Sequence, residues 1–300
     1  MKNLLRGILQ KKSIKHLIEF YRIKDWFKIL GYPLIGLLLA NSDIEIFIVN
    51  IIISALGLAY CFSINDYWDH LKEGEKNYVG KIIETQGKKK VLFACFFPFF
   101  LCLPLLLLIK SYPLIIFLCF MLLASIYSMP PIRLRNKPIL DLIMNSLMFP
   151  CLFAFSFFDS FNSLTTFIFF FINFIYYFFV SELIHQMAHY KKDKSCGRTT
   201  TLILLGKKKT LYFLKIVPIF PLLFSSYFLF SLDIEIITFA MISIVTNLMR
   251  IKKFKKLTLK TDFCELRTKI YGLEEGISYF LAIFIFKLIN LKFLPTIFHL

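Results

Sequence analysis

The feature that most restricts this chain is a succession of apolar runs, several close to 20 residues long and carrying one charge or none. A hydrocarbon core about 30 Å thick takes roughly 20 apolar residues of helix to cross, so runs of this length name lipid as the solvent. Backbone amides find no water there, so each run is expected to be helical; a β-barrel would show short alternating segments instead. Composition agrees: 58% of the residues are hydrophobic, 37 are Phe and the mean hydropathy is +0.69, above an ordinary soluble domain. The expected fold class is all-α, a polytopic membrane bundle of about nine transmembrane helices.

The runs place spans near residues 26–40, 44–64, 91–109, 112–127, 139–158, 164–185, 211–231, 234–249 and 276–291. Residues 1–25 mix Leu5, Ile8, Leu9, Ile14, Leu17 and Ile18 with Lys2, Arg6, Lys11, Lys12 and Lys15, the pattern of a basic amphipathic helix in the headgroup region. Residues 26–300 show no linker or repeat and are expected to form a single transmembrane domain. A cleaved leader is not expected, because Lys11 and Lys12 break the first apolar stretch.

The net charge of +17 raises nucleic acid as a partner, but Lys and Arg crowd into alternate short connections rather than one soluble face, which excludes it. By the positive-inside rule the N-terminus and the connections after the second, fourth, sixth and eighth spans are cytoplasmic, and the C-terminus lies outside. The expected location is a bacterial cell membrane, with the lipid bilayer as a partner. Nothing in the sequence sets an oligomeric state. The seven Cys form no CxxC pair and five lie in apolar runs, so they read as small core residues.

Three segments carry chemistry. The first, Asn65-Asp66-Tyr67-Trp68-Asp69-His70-Leu71-Lys72-Glu73, ends the second span, and its carboxylates at 66, 69 and 73 share one helical face. Like charges so placed repel unless a cation joins them, and Mg²⁺ takes one or two carboxylates together with substrate phosphates; a solvated helix end fits the same residues. The second segment ends the sixth span, where Glu182, Gln186, His189 and Asp193 form one stripe that begins in apolar sequence, with His185 beside it. Ionisable groups at membrane depth normally face a cavity or a partner. The third, Tyr127-Ser128-Met129-Pro130-Pro131-Ile132-Arg133-Leu134-Arg135-Asn136-Lys137, sets three cations after a stiff turn. These cations suit a diphosphate or anionic lipid equally. Asp141 and Asn145 follow one turn apart.

Together, in order and spacing, the segments resemble the UbiA superfamily of membrane prenyltransferases from about residue 25 to the last span. That family carries an NDxxDxxxD motif after its second helix, a YSxPPxRxK-like loop after its fourth and a DxxxD-type motif after its sixth. The resemblance implies a central cavity open to the cytoplasmic side, with Mg²⁺ as cofactor. It implies a polyprenyl diphosphate and a membrane-associated aromatic or hydroxyl-bearing acceptor as partners. Asn65, Asp66, Asp69, Glu73 and Asp193 are then the expected metal ligands. Asp66, Asp69, Asp193 and Arg133 are the expected catalytic residues. Arg133 and Arg135 are expected at the departing diphosphate, and Tyr127, Asn145, Glu182, His185, Gln186 and His189 along the substrate cavity. Two positions depart from the pattern: Glu73 replaces the third Asp, and His189 replaces the first Asp of the second motif. Imidazole favours Zn²⁺ or Cu²⁺ over Mg²⁺, so the metal at the second motif rests on Asp193, with Glu182 as a candidate partner. The competing classes are a non-catalytic isoprenoid- or lipid-binding protein and a transporter.

Overall fold

The computed structural model describes residues 14–158, 163–268 and 277–285. Among the described residues every regular element is helical, and seven helices are long and apolar enough to cross a membrane. They are Ile44–Glu73, Lys88–Leu106, Ser111–Ser128, Leu140–Phe157, Leu164–Ser195, Thr201–Phe230 and Ile234–Lys255. These correspond to the second through eighth expected spans, and the chain is an integral membrane protein.

The first expected span, 26–40, is not one continuous helix. It breaks into a turn of helix at Ile23–Trp26, a 3₁₀ turn at Phe27–Leu30 and a helix α1, Gly31–Ala40. Ten residues of α1 rise only about 15 Å, half a hydrocarbon core. Arg22 enters this segment in the left-handed region, at φ 52°, and Lys24, Asp25 and Lys28 keep its start polar. The ninth expected span, 276–291, lies largely outside the described residues, of which 277–285 are helical. Of the expected interfacial segment, residues 1–13 lie outside the described residues and 14–20 are helical.

The helices that position the site are α2 (Ile44–Glu73), α3 (Tyr78–Gln86), α4 (Lys88–Leu106), α5 (Ser111–Ser128), α6 (Leu140–Met148), α7 (Pro150–Phe157) and α8 (Leu164–Ser195). They are followed by α9 (Thr201–Ile216), α10 (Ile219–Tyr227) and α11 (Ile234–Lys255). α2 packs along α4, α1 along α7, α8 along α6, and α10 along α11. At the α1–α7 crossing Gly36 allows close approach: a β-carbon there would stand 2.7 Å from the carbonyl oxygen of Phe153. Many of the Phe form the interior. Phe153 meets Phe174 edge-on at 5.0 Å and Phe170 meets Phe239 at 5.0 Å, the geometry the ring quadrupole favours.

Two helices run past the apolar stretch that the sequence marks. α2 continues to Glu73 and α8 to Ser195, so both acidic segments sit on the last turns of spanning helices. A polar seam ties α8, α10 and α11 far from those ends. Ser225 and Ser243 share a 2.7 Å hydrogen bond, Ser243 donates to Asn173 at 3.1 Å, and Asn247 donates to the Ser243 carbonyl at 2.8 Å. Bonds of this kind join helices where no hydrophobic force separates protein from lipid.

Candidate active site

The last two turns of α2 carry Asn65, Asp66, Asp69 and Glu73, with Asp69 2% exposed. Gly74 ends the helix at φ 64° and donates its N–H to the His70 carbonyl at 3.0 Å, a glycine cap in the left-handed region. The chain then turns into α3. Asn77 caps α3 by accepting from Gly80 N–H at 2.7 Å and ties the turn back by donating to the Asp66 carbonyl at 2.8 Å.

The proline-containing loop after α5 folds back over this helix end, and Arg133 takes a left-handed backbone at φ 41° within it. Arg133 Nη2 donates to Asp69 at 3.0 Å and to Glu73 at 2.6 Å, and Nη1 donates to the Trp68 carbonyl at 3.3 Å. Arg135 donates to Asn65 Oδ1 at 2.7 Å and to Asp69. Asn136 adds a 3.0 Å bond to Glu73.

The end of α8 arrives from the opposite side. Arg198, just beyond it, donates to Asp193 at 2.8 Å, to Glu75 at 2.6 Å and, through Nε, to Glu73. Its Nη2 stands 3.7 Å from Asp69. One guanidinium therefore joins the two acidic motifs, and Lys192 adds a second link to Glu75. Burial favours the protonated form of Glu75, but the bond from Lys192 and the charges of Arg198, Lys192 and Arg135 outweigh it and hold this carboxyl down at about 2. On the third side Arg22 reaches Asp66 at 3.0 Å while also pairing with Asp25 at 2.7 Å.

Deeper in the same space lies a wall of neutral and acidic groups. Asn145 donates to Glu182 Oε2 at 2.8 Å and hydrogen-bonds Tyr127. Gln186 donates to Glu182 Oε1 at 3.1 Å and to Asp141 Oδ2 at 2.9 Å. Asp141 also accepts the N–H of Thr201 at 2.8 Å and that of Leu142 at 2.7 Å. The rings of His185 and His189 lie with centroids 4.6 Å apart. Glu182 stands apart from Asp193: eleven residues of continuous α8 separate them, about 16 Å of rise. It belongs with this wall and not with the second motif's metal candidates.

These groups border one cavity of about 630 Å³. Asn65, Asp66, Asp69, Tyr127, Arg135, Asn145, Glu182, His185, Gln186, His189 and Asp193 all line it. Arg133 and Glu73 stand behind Asp69 in the ion-pair network. Phe62, Met148, Phe149, Tyr177 and Phe178 supply its apolar surface. Arg22, Arg198 and Glu75 were absent from the expected set. Arg198 follows the second motif directly in sequence, but nothing local distinguishes it from the other Lys and Arg of the connections between spans.

Among the described residues no three His, Cys, Asp or Glu side chains form a metal cage of their own. Mg²⁺ does not need one, because it keeps water and phosphate oxygens in its shell. The donors at the mouth, carboxylates with the Asn65 amide oxygen, are hard oxygens of the kind it takes, and they fit the ion.

The sequence model of the UbiA prenyltransferase family matches residues 30–266. Among solved structures, a UbiA homolog from Archaeoglobus fulgidus bound to GPP and Mg²⁺ is similar with a TM-score of 0.74 at 18% identity, covering 89% of this chain and 99% of that one. The same homolog bound to DMAPP and Mg²⁺ gives 0.73 at 18% identity, covering 89% and 98%. A digeranylgeranylglyceryl phosphate synthase in membranes gives 0.67 at 18% identity, covering 91% and 99%. No curated protein sequence matches the chain. At these identities the structural likeness establishes the fold.

Proposed function

The chain belongs to the UbiA prenyltransferase family, and from that premise we propose that it transfers a prenyl group from a polyprenyl diphosphate to a membrane-associated acceptor bearing an aromatic ring or a hydroxyl. The observation that carries this reading is the single cavity mouth at which two acidic helix ends and the arginine loop meet. Beside the polar wall of Asn145, Glu182 and Gln186 the cavity carries an apolar and aromatic lining of Phe62, Met148, Phe149, Tyr177 and Phe178, as an isoprenoid tail requires. The GPP- and DMAPP-bound homolog structures, both with Mg²⁺, lend support through the shared fold.

Asp66, Asp69 and Asp193, with Asn65 beside them and Glu73 behind Asp69, are the residues to hold Mg²⁺, which when bound supplies charge neutralisation on the departing diphosphate. Arg135 and Arg198, which line the cavity, grip the diphosphate oxygens, while Arg133 holds Asp69 and Glu73 in place from behind. In this chain those arginines already satisfy the carboxylates, so binding exchanges Arg–carboxylate pairs for Arg–phosphate pairs. The faces of Phe62, Phe149, Tyr177 and Phe178 stabilise the allylic cation, and the apolar lining keeps water from capturing it. Tyr127, Asn145, His185, Gln186 and His189 border the acceptor.

The Lys and Arg of the flanking connections support a cytoplasmic position for the mouth of the cavity. Residues 26–300 are read as one catalytic domain, to which the preceding segment contributes Arg22. The test is Mg²⁺-dependent release of diphosphate from geranyl diphosphate: Asp66→Ala and Asp69→Ala should each abolish it, and full activity in either removes the assignment. His189 in place of an aspartate favours a second reading, a binding protein without turnover. Calorimetric titration of a diphosphate analogue separates the two, since such a protein binds it equally with and without Mg²⁺.

A further inference from the structure

The two segments that carry the cavity-lining arginines are fastened to each other as well as to the carboxylates. Arg135 Nη1 and Arg198 Nη2 both approach Asp69 Oδ2, the second at 3.7 Å. Two guanidiniums so placed are held by the anion between them. A metal that takes Asp69 withdraws that anion, while the cations go on repelling each other. Something other than the carboxylate has to keep them together until diphosphate arrives.

A second row of bonds does so. The residues that directly follow the two arginines are partners: Thr199 Oγ1 donates to the Asn136 carbonyl. Further along both segments, Thr201 Oγ1 accepts the Ile139 N–H at 2.7 Å and donates to Asp141 Oδ1, while the Thr201 N–H donates to Asp141 Oδ2 at 2.8 Å. Thr199 is exposed, whereas Thr201 and Asp141 are 3% and 1% exposed, so the inner rung works where water competes least. Asp141 is itself immobilised, because its oxygens also accept the Leu142 N–H at 2.7 Å and the Gln186 amide at 2.9 Å. Gln186 Oε1 in turn accepts the Leu202 N–H at 3.0 Å. Ile139 bears the mark of this constraint: at φ 71° and ψ −48° it sits near a rare, strained γ-turn geometry that a β-branched residue keeps only where its surroundings impose it. Thr199, Thr201 and Asp141 do not line the cavity, so they reach a ligand there only through what they hold.

We infer that Thr199, Thr201 and Asp141 are positioning residues of the diphosphate site, an inference that rests on the prenyl-transfer reading above. They clamp the segment bearing Arg135 to the segment bearing Arg198, so the two guanidiniums keep their spacing when metal takes over their carboxylates. Diphosphate then meets a pair of donors already set, and the ordering of two arginine segments precedes binding instead of opposing it. The clamp acts on the anion and leaves the metal's own ligands alone, which separates it from a general support of the fold.

The test uses the purified full chain in detergent, with calorimetric titration of inorganic diphosphate and of MgCl₂, and with diphosphate release from geranyl diphosphate as the turnover assay. Thr201→Val keeps the side chain's shape and the backbone bond to Asp141 while removing the hydroxyl. It should weaken diphosphate binding and raise the KM for geranyl diphosphate about tenfold or more, with Mg²⁺ affinity in the absence of diphosphate within about twofold of wild type. Thr201→Ser, which restores the hydroxyl, should bring diphosphate affinity back to within about twofold. Asp141→Asn, which sets an amide against the Thr201 and Leu142 donors, should show the same pattern as Thr201→Val. In an Arg198→Ala background Thr201→Val should add less than about twofold, because a residue that acts through another is not additive with it. Thr199→Val removes only the exposed rung and should give a smaller loss of the same kind, about threefold. Unchanged diphosphate affinity in Thr201→Val overturns the inference; if that variant does not fold, unchanged affinity in Thr199→Val does so. An equal loss of Mg²⁺ affinity, or a fully additive loss in the Arg198→Ala background, also overturns it, since the threonine then serves only the fold. Wild type that binds diphosphate yet releases none from geranyl diphosphate strikes the prenyl-transfer reading instead, while the titrations still decide the clamp.

Discussion

Replacing Arg198 by alanine should move two affinities in opposite directions. The side chain is 6% exposed and reaches Asp193 at 2.8 Å, Glu75 at 2.6 Å and Asp69 at 3.7 Å, with Nε on Glu73. A cation set among four carboxylates competes with a metal for them, yet it is also a donor to any anion at the mouth. A hydrogen bond to a charged group contributes about 1.5–3 kcal/mol. Losing one such phosphate contact should therefore weaken diphosphate binding about 10- to 150-fold, at about 1.4 kcal/mol per tenfold. Mg²⁺ without diphosphate should bind about tenfold more tightly, because its ligands lose their competitor. Arg198→Lys keeps the charge without the fork and should fall between.

The measurement is calorimetric titration of the purified chain with MgCl₂, with inorganic diphosphate and with both. Stripping the partner from buried carboxylates costs about 3–5 kcal/mol of stability, so Arg198→Ala is also made with Glu73→Gln, which removes one orphaned charge. A variant whose Mg²⁺ and diphosphate affinities both fall by the same factor refutes the reasoning, because the guanidinium then serves only the fold. Unchanged diphosphate affinity refutes its place in the grip.

His189→Asp restores a second carboxylate four residues before Asp193, and the Mg²⁺ concentration giving half-maximal diphosphate release should fall several-fold; no change shows that His189 stands outside the metal's shell. Gly36→Ala drives a β-carbon to 2.7 Å from the Phe153 carbonyl and 3.1 Å from the Phe157 N, backbone atoms that yield little. Thermal unfolding in detergent should show a loss of about 1–3 kcal/mol, and an unchanged midpoint would mean that α1 and α7 part easily. The Glu75 carboxyl, held near 2 against an ordinary 4.5, contributes stability above pH 4.5 that is lost as pH falls towards 2. The stability difference between wild type and Glu75→Gln should therefore shrink over that interval, and a difference independent of pH would show that the Lys192 and Arg198 pairs do not stabilise the ionised form.

What the sequence made legible was local. Carboxylates at 66, 69 and 73 share a helical face by spacing alone, and apolar runs of about 20 residues mark spans because lipid leaves the backbone no alternative. The break between Trp26 and Gly31 was not legible, since apolar content shows affinity for lipid and says little about where a helix stops. The roles of Arg22 and Arg198 were hidden for a different reason. Arg198 pairs with Glu73 across 125 residues and Arg22 with Asp66 across 44, and no local pattern encodes such pairing. Membrane topology also supplies a sufficient explanation for cations gathered in alternate connections, so residues of the site pass as topology signals.

That double duty has a physical consequence at the mouth of the cavity. Carboxylates gathered to hold a divalent ion repel one another whenever the ion departs, and burial makes that repulsion stronger than in water. Arg22, Arg133, Arg135 and Arg198 neutralise Asp66, Asp69, Glu73 and Asp193 in the chain as it stands, and guanidiniums are also suited to the phosphates of the proposed substrate. These cations thereby keep the acidic helix ends together without a bound ion. Removing Arg198 together with one of its carboxylates, as in Arg198→Met with Asp193→Leu, should accordingly cost less stability than Arg198→Ala alone, because one fewer carboxylate is left without its partner, while still weakening diphosphate binding. A double variant no more stable than Arg198→Ala, measured by thermal unfolding, would show that Asp193 gains nothing from the pair.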